Sequence, residues 1–207
     1  MTLTMPTTPD FAAAIFSLST NTQIFSSPLV KVAQTLELPG ALWIVTYTLP
    51  LMRFDTAAPW QGFLAELMGA SGTFFGFDPS RTSPRGIYSA GSDTPLVDAA
   101  SQTGKSLTTD GWRISGTGLL LPGDYFEVIA DSTKELHMIT SQVDSDGSGL
   151  ATLNFVPPLR ASPLNNAVIT LDDPLVEMRL ADDNQATWSN IPPNFTEPKS
   201  FSAVEVF

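Results

Sequence analysis

The chain has 207 residues, of which 43% are hydrophobic, and its 10 basic and 21 acidic side chains give a formal net charge of −11. This composition is too apolar for a disordered chain, and no stretch reaches the roughly 18–20 uninterrupted apolar residues that span a bilayer, so we expect a soluble globular protein with no membrane partner. The acidic balance disfavours sequence-specific nucleic-acid binding, and the absence of cysteine excludes disulfides and thiolate metal sites.

The first residues are rich in Thr and Ser and show no clear apolar period, which predicts an N-terminal arm over residues 1–21. The arm carries Phe11 and Phe16, and aromatic side chains are seldom left in solvent. We therefore expect the arm to dock either on a neighbouring molecule or on the chain's own core.

Turn signals recur at short intervals along the rest of the chain, among them Ser26-Ser27-Pro28 and Pro39-Gly40. The segments between them have strand length and are rich in β-branched and aromatic residues, which predicts a mainly β fold. The predicted strands cover residues 42–49, 124–130, 136–143, 150–156, 167–171 and 176–180.

One helix is predicted at about residues 57–68. Asp55 or Thr56 is suited to cap it, Pro59 suits its first turn, and Gly69 suits its end. The apolar side chains at helical spacing are Trp60, Phe63, Leu64 and Leu67. They predict a helix that lies flat on a sheet.

Residues 102–158 have the pattern of a compact β module. Pro122-Gly123-Asp124 predicts a tight reversal before an aromatic strand, and the sequence DSDGSG at 144–149 predicts a hairpin turn. The role of the module is predicted to be structural.

The last residues, 190–207, contain three prolines before a strand-like FSAVEVF. We expect them to form a C-terminal arm that, with Phe195 and Phe201, docks either on a neighbouring molecule or on the chain's own core. Extended arms of this kind add a strand to the sheet edge of a neighbouring subunit.

The motifs that resemble known sites are incomplete. Gly104-Lys105-Ser106 lacks the first glycine of a phosphate loop, because Ala99 stands in its place. The segment 144–149 lacks the glutamate that closes a calcium loop, because Phe155 occupies that position.

Two further candidates also lack partners. His137 is the single histidine, which leaves no second one for a metal or catalytic centre, and Ser71 is not in a GxSxG motif. We therefore predict no catalytic, cofactor-binding or metal-binding residues and no enzymatic activity. A glycosidase remains an open alternative. It needs two carboxylates that face each other across a cleft, and the sequence alone does not show whether any two do.

The succession GWRISGTGLLLPGDYFEV and LHMITSQVDSDGSGLATLNFVPPLR follows WQGFLAELMGASGTFFGFDP and PRGIYSAGSDTPLVDAASQTGKSL. Over about residues 43–180 this pattern of turns and strands resembles tailed-bacteriophage tail structural proteins of the distal tail type, which form the ring of the tail-tip hub. From the length we expect the chain to lack the additional carbohydrate-binding-like domain of larger distal tail proteins, and we assign no counterpart to its N-terminal arm.

The resemblance implies a β-sandwich body formed by residues 22–101 and 159–189, with the helix packed on it and the 102–158 module inserted. It also implies a virion protein, made in the host bacterial cytoplasm, that forms a homo-oligomeric ring, suspected to be a hexamer. The ring joins the tail tube protein to the hub and other tail-tip proteins and lets DNA pass. By this reading its lumen is lined by acidic side chains from turns of the module, namely Asp110, Asp124, Asp131, Asp144 and Asp146.

Two other functions remain open from the residues. A carbohydrate-binding β-sandwich needs exposed tryptophans as a stacking platform, and the candidates are Trp43, Trp60, Trp112 and Trp188. A hydrolase that acts on the cell wall needs a pair of carboxylates with perturbed pKa values in a cleft.

Overall fold

The computed structural model describes residues 2–29 and 31–206. It confirms the predicted fold class, since the chain is mainly β with one helix and several sheets. The helix is α1 (Phe54–Glu66), and the strands are β1 (Thr2–Thr4), β2 (Ala13–Ser26), β3 (Ala33–Leu49), β4 (Met52–Arg53), β5 (Thr73–Gly76), β6 (Leu96–Val97), β7 (Gly104–Asp110), β8 (Tyr125–Ala130), β9 (Thr133–Ile139), β10 (Ala151–Leu159), β11 (Ile169–Thr170), β12 (Val176–Leu180), β13 (Asn190–Ile191), β14 (Phe195–Thr196) and β15 (Lys199–Glu205).

The first sheet has the strand order β1-β5-β12-β15-β3-β2. Alternate residues of β3 point into its core, where Trp43, Val45, Tyr47 and Leu49 are all buried. α1 covers the same core with its buried face. Because α1 packs across the apolar face of the sheet, the side of the helix that faces the sheet is apolar.

The second sheet has the order β11-β8-β9-β10-β7-β6 and its own core around Phe126 and Phe155. It lies between β5 and β12 in sequence, although those two strands pair directly. The module is therefore inserted, as predicted, but the boundaries 102–158 are too narrow. β6 and β11, at residues 96–97 and 169–170, belong to the same sheet.

α1 begins three residues before the predicted start at residue 57. Neither Asp55 nor Thr56 caps it, because both lie inside the helix and Arg53 is the N-cap residue. The amide of Phe54 donates to the carbonyl oxygen of Asn194 at 3.0 Å, which gives the first turn a partner from a distant segment. Pro59 consequently lies in the second turn of the helix.

The C-terminal segment is not an arm around the body. β15 lies between β12 and β3 in the first sheet, with Phe201 and Ala203 fully buried. Its alternation of buried and half-buried residues is that of a central strand with one face on the core. Met1, Val30 and Phe207, which fall in the predicted arms and body, lie outside the described residues.

The predicted N-terminal arm, residues 1–21, also belongs to the body. β1 pairs in parallel with β5, and the first half of β2 pairs with β3. The ring of Phe11 stacks on Tyr47 with centroids 4.4 Å apart. Of the two predicted docking places for the arm, the chain's own core is therefore the one that Phe11 occupies.

The two sheets are joined by polar contacts at the end of the first core. The indole nitrogen of Trp43 donates to the carbonyl oxygen of Leu136 at 2.8 Å. The guanidinium of Arg160 donates two hydrogen bonds to the buried carboxylate of Glu205, at 2.7 and 2.6 Å, and that carboxylate also accepts from the Trp43 amide. A bidentate pair of this kind fixes the orientation of the inserted module on the first sheet.

Candidate functional site

The most prominent surface of the molecule is a two-stranded ribbon made by the distal parts of β2 and β3. We define the ribbon as residues 20–41. The two strands stay paired from Asn21 opposite Leu38 to Ser26 opposite Ala33. At about 3.3 Å per residue, residues 33–41 reach roughly 30 Å. Nearly all described ribbon residues are exposed, so the ribbon is an extension of the sheet without a core of its own.

A bulge marks the place where the ribbon leaves the sheet. The pairing register shifts between Ser19 and Asn21, and Gly40 on the opposite strand has φ +106°. The Asn21 side-chain amide donates to the carbonyl oxygen of Pro39 at 3.2 Å. Pro39-Gly40, predicted as a turn between strands, is therefore a kink within one strand, and this bulge sets the direction of the ribbon.

The tip of the ribbon, which we define as residues 24–29 and 31–32, is apolar and exposed. The exposed fraction is 93% for Leu29, 65% for Ile24 and 56% for Phe25. The turn is closed by backbone hydrogen bonds from the amide of Ser27 to Val32 and from the amide of Lys31 to Ser27. The tip is thus the exposed apolar end of a hairpin. An exposed apolar patch of this kind marks an interaction site.

The ribbon has no net charge in a chain of net charge −11. Lys31 and Glu37 are its only charged residues, and they cancel. The Lys105 ammonium lies 2.7 Å from the Glu37 carboxylate, and this ion pair connects the ribbon to β7. A neutral surface does not repel a second copy of itself, unlike the acidic remainder of the chain.

Both long edges of the ribbon are open in the described chain. β2 is the outermost strand of its sheet, and β15 pairs with β3 only up to Ile44. β2 contains neither proline nor a charged residue, two features with which proteins ordinarily protect an edge strand. An unprotected edge of this length is a template for pairing with another chain.

The residues that resemble known chemical motifs lie in secondary structure or in the core. Gly104-Lys105-Ser106 begins β7, so it is a strand and not a loop before a helix. Ser71 ends a short 3₁₀ turn. His137 is fully buried, and its Nδ1 lies 2.9 Å from the Pro157 carbonyl oxygen.

The segment 144–149 contains the predicted turn between β9 and β10, two strands of the module. The Asp146 carboxylate accepts from the amides of Ser148 and Leu150 at 2.7 and 2.9 Å, and these bonds lower its pKa. The pKa of Asp144 is also lowered, mainly by the amide of Gly118. The two carboxylates act as acceptors that hold the turn. Among residues 2–29 and 31–206, no group of three or more potential metal ligands is found.

The buried carboxylates have cationic or amide partners. Asp93 is held by Arg113, whose hydrogen bonds keep the pKa of Asp93 below its usual value. Burial alone raises the pKa of Glu135, but the His137 ring, whose Nε2 lies 3.4 Å from the carboxylate, and hydrogen bonds from the amides of Arg160 and Ala161 outweigh it and leave that pKa lowered. Such pairs hold loops and strand ends in place.

Asp124, predicted to face a lumen, is instead a buried anchor for the turn that precedes β8. Its carboxylate accepts from the amide of Leu121 at 2.8 Å and from the side chain of Arg85 at 3.0 Å. Gly123 has φ +92°, which explains glycine at this place in the turn. Asp131, Asp144 and Asp146 are exposed and Asp110 is half-buried.

Three of the four tryptophans proposed as a sugar platform are buried. Trp60 is fully buried, and Trp43 and Trp112 are 2% and 5% exposed. The half-buried Trp188 has the Lys199 ammonium 5.9 Å from its ring centroid.

No protein-family model matches the chain, and no curated protein matches its sequence. Within the described part of the chain, no helix has the length and apolar character needed to cross a membrane.

The ribbon was not predicted from the sequence. The signal that indicates it is the absence of any charge between residues 11 and 30, on the strand that precedes the Ser27-Pro28 turn. The predicted boundary between arm and body, between residues 21 and 22, instead divides β2 and leaves nearly all of the ribbon in the body.

Proposed function

We propose that this chain is a virion structural protein of a bacteriophage tail, made in the host cytoplasm, that forms a ring between the tail tube and the tail-tip hub. The observation that carries the proposal is the exposed ribbon, which has no net charge, two open edges and an apolar tip. The resemblance to distal tail proteins supplies the place in the tail, the partners and the suspected hexamer.

The ribbon supports assembly because its two edges are different surfaces. The outer edge of β2 on one copy is available to pair with the outer edge of β3 on the next. A contact between two different surfaces repeats from copy to copy, and it closes into a ring when the rotation per copy divides the circle.

The charge distribution supports passage of DNA without binding. A channel wall built from ribbons carries no net charge, since Lys31 and Glu37 cancel, and the remainder of the chain is acidic. Neither surface attracts a phosphate backbone, so a duplex is not held by its charge.

The two alternatives have less support. A sugar-binding platform needs exposed aromatic faces, whereas Trp43, Trp60 and Trp112 are buried. A hydrolase needs a free pair of carboxylates, whereas Asp93, Asp124, Glu127, Glu135 and Glu205 are buried and hydrogen-bonded or ion-paired.

The proposal is tested by shortening the ribbon. Residues 20–41 are replaced by Asn-Gly, a dipeptide that favours a two-residue hairpin turn, between the paired residues Ser19 and Leu42. Because the removed residues are almost all exposed, the variant is expected to melt cooperatively near the temperature of the unaltered protein.

The measured quantity is the mass in solution, by sedimentation velocity over a range of concentrations. The unaltered chain is expected to form a closed oligomer and the shortened variant to remain monomeric. The replacement Leu164→Asp is the control, since this leucine is 77% exposed but lies outside the ribbon. A monomeric unaltered chain at every concentration, or a shortened variant that assembles equally well, contradicts the proposal.

A further inference from the structure

The core of the inserted module contains a glutamate and the single histidine of the chain. Glu135 is 2% exposed and His137 is fully buried. The two residues are two positions apart in β9, so their side chains point to the same face of the sheet. Their partners on β8, Val128 and Phe126, belong to the core of the module, and the two polar side chains therefore face that core.

The contacts of the His137 ring determine where its protons lie. Nδ1 lies 2.9 Å from the carbonyl oxygen of Pro157, which only accepts, so Nδ1 carries a proton and donates it. Nε2 has no hydrogen-bond partner within the described chain, and it lies 3.4 Å from Oε2 of the Glu135 carboxylate. In a neutral ring with its proton on Nδ1, Nε2 is an acceptor. Two acceptors would then face each other in the core, which is unfavourable.

A second proton between these two atoms removes the conflict, and it belongs on the ring. The Glu135 carboxylate accepts from the amides of Arg160 and Ala161 at 3.1 and 3.2 Å. Hydrogen bonds from amides stabilise the charged form of a carboxylate. Glu135 therefore stays ionised, and the contact at 3.4 Å becomes an ion pair when His137 takes the proton.

We propose that His137 is an imidazolium in the core of the module and that its proton locks the module onto the first sheet. The inference goes beyond the proposed function and does not depend on ring formation. Its energetic basis is that a buried charge which loses its partner is strongly destabilising.

The lock extends from His137 to the place where the two sheets are joined. Glu135 holds the backbone of Arg160, and the Arg160 guanidinium donates two hydrogen bonds to the buried carboxylate of Glu205 on β15. Positive and negative charges therefore alternate along His137, Glu135, Arg160 and Glu205, and the four cancel when His137 is charged. Loss of its proton leaves a buried negative charge beside this joint.

The other elements that pack on the His137 ring present apolar groups to it. Its aromatic neighbours are Phe126 on β8 and Phe155 on β10, with ring centroids at 5.1 and 4.6 Å. Glu127 on β8 pairs with Leu136, so it points to the opposite face of the sheet, where the Lys134 ammonium lies 2.6 Å from its carboxylate. Glu135 is therefore the group that holds the proton on His137.

The protonation state is directly measurable because the chain has one histidine. The full-length protein is labelled with ¹⁵N in the histidine ring, and NMR at neutral to mildly alkaline pH shows which ring nitrogens carry a proton. We expect both to do so in the folded chain. The same sample unfolded in urea is expected to show a neutral ring, since a histidine in an unfolded chain titrates near pH ~6.5. A folded chain with a proton on one ring nitrogen alone overturns the inference.

Two variants test whether Glu135 holds the proton. Glu135→Gln is expected to leave a neutral ring, because the amide is uncharged. Glu127→Gln is the matched control, since Glu127 is also 2% exposed and ion-paired, and it is expected to keep both protons on His137. Loss of the proton in both variants, or in neither, contradicts the pairing. The unaltered protein decides the protonation state even if Glu135→Gln does not fold.

Hydrogen exchange of two indole groups tests the lock. The Trp43 indole N–H donates to Leu136 across the joint, whereas the Trp60 indole N–H donates to Thr8 within the body. The locked state holds a proton that the open state releases, so the lock is complete below pH ~6.5 and weakens as the pH rises. Protection of Trp43 relative to Trp60 is expected to fall by up to about tenfold per pH unit, the limit for release of one proton. The same pH dependence for both indoles contradicts the lock.

Discussion

Replacing Phe201 by alanine tests whether the C-terminal segment is part of the core. Phe201 is 1% exposed, and its ring lies 5.4 Å from that of Tyr47 and 6.0 Å from that of Trp60. Truncation of a buried phenylalanine removes transfer free energy and leaves a cavity, and such changes cost about 3–5 kcal/mol. This is a large part of the ~5–15 kcal/mol that stabilises a typical domain.

The control is Phe195→Ala, in the same C-terminal segment. Phe195 is 43% exposed, so its truncation is expected to change the free energy of unfolding by less than about 1 kcal/mol. Urea denaturation of both variants measures the difference in the free energy of unfolding. The melting temperature is expected to fall by roughly 6–20 °C for Phe201→Ala alone.

A change of less than about half a kcal/mol in the free energy of unfolding of Phe201→Ala would contradict this expectation. That outcome would mean that residues 199–205 do not pack on the body in solution. Deletion of the whole segment is expected to prevent folding, because β15 separates β12 from β3 in the sheet.

Three further predictions concern the helix, acid stability and metal. Phe63→Ala, on the buried face of α1, is expected to lower the free energy of unfolding by about 3–5 kcal/mol, while Phe54→Ala on its exposed face costs much less; urea denaturation measures both. The free energy of unfolding is expected to fall as the pH drops below about 4, because the pKa of Asp93 is lower in the folded chain and the unfolded chain therefore takes up the proton first. Asp93→Asn is expected to reduce the dependence of the melting temperature on pH, which acid titrations measure. A chelator is expected to leave the melting temperature unchanged, since Asp144 and Asp146 accept backbone hydrogen bonds; a drop of several degrees would make them metal ligands.

The sequence predicted elements whose pattern is local. The apolar spacing of Trp60, Phe63, Leu64 and Leu67 predicts the buried face of α1 correctly, because side chains on one face of a helix recur every three to four residues. The turn at 144–149 was predicted for the same reason, since Asp and Gly specify the turn by themselves.

Features that depend on distant partners were not predicted. The start of α1 depends on the carbonyl oxygen of Asn194, which is 140 residues from Phe54. The place of β15 depends on β12 and β3 on its two sides, and the three prolines before FSAVEVF led us to expect an arm there. Pairing between distant segments is not encoded in any local pattern.

The candidate site was not predicted because the boundary between residues 21 and 22 divides β2 between an arm and the body. Composition alone shows that residues 13–26 are uncharged, but not that they extend beyond the sheet. That extension depends on where β15 stops, at the pairing of Val204 with Ile44.

Electron cryo-microscopy of the assembled particle tests the central claim most directly. We expect a closed ring of this chain in which the ribbons of neighbouring copies pair along their edges and line a channel without net charge. A single copy of the chain in the particle, or a ring whose ribbons point into solvent with Leu29 uncovered and edges unpaired, would contradict it.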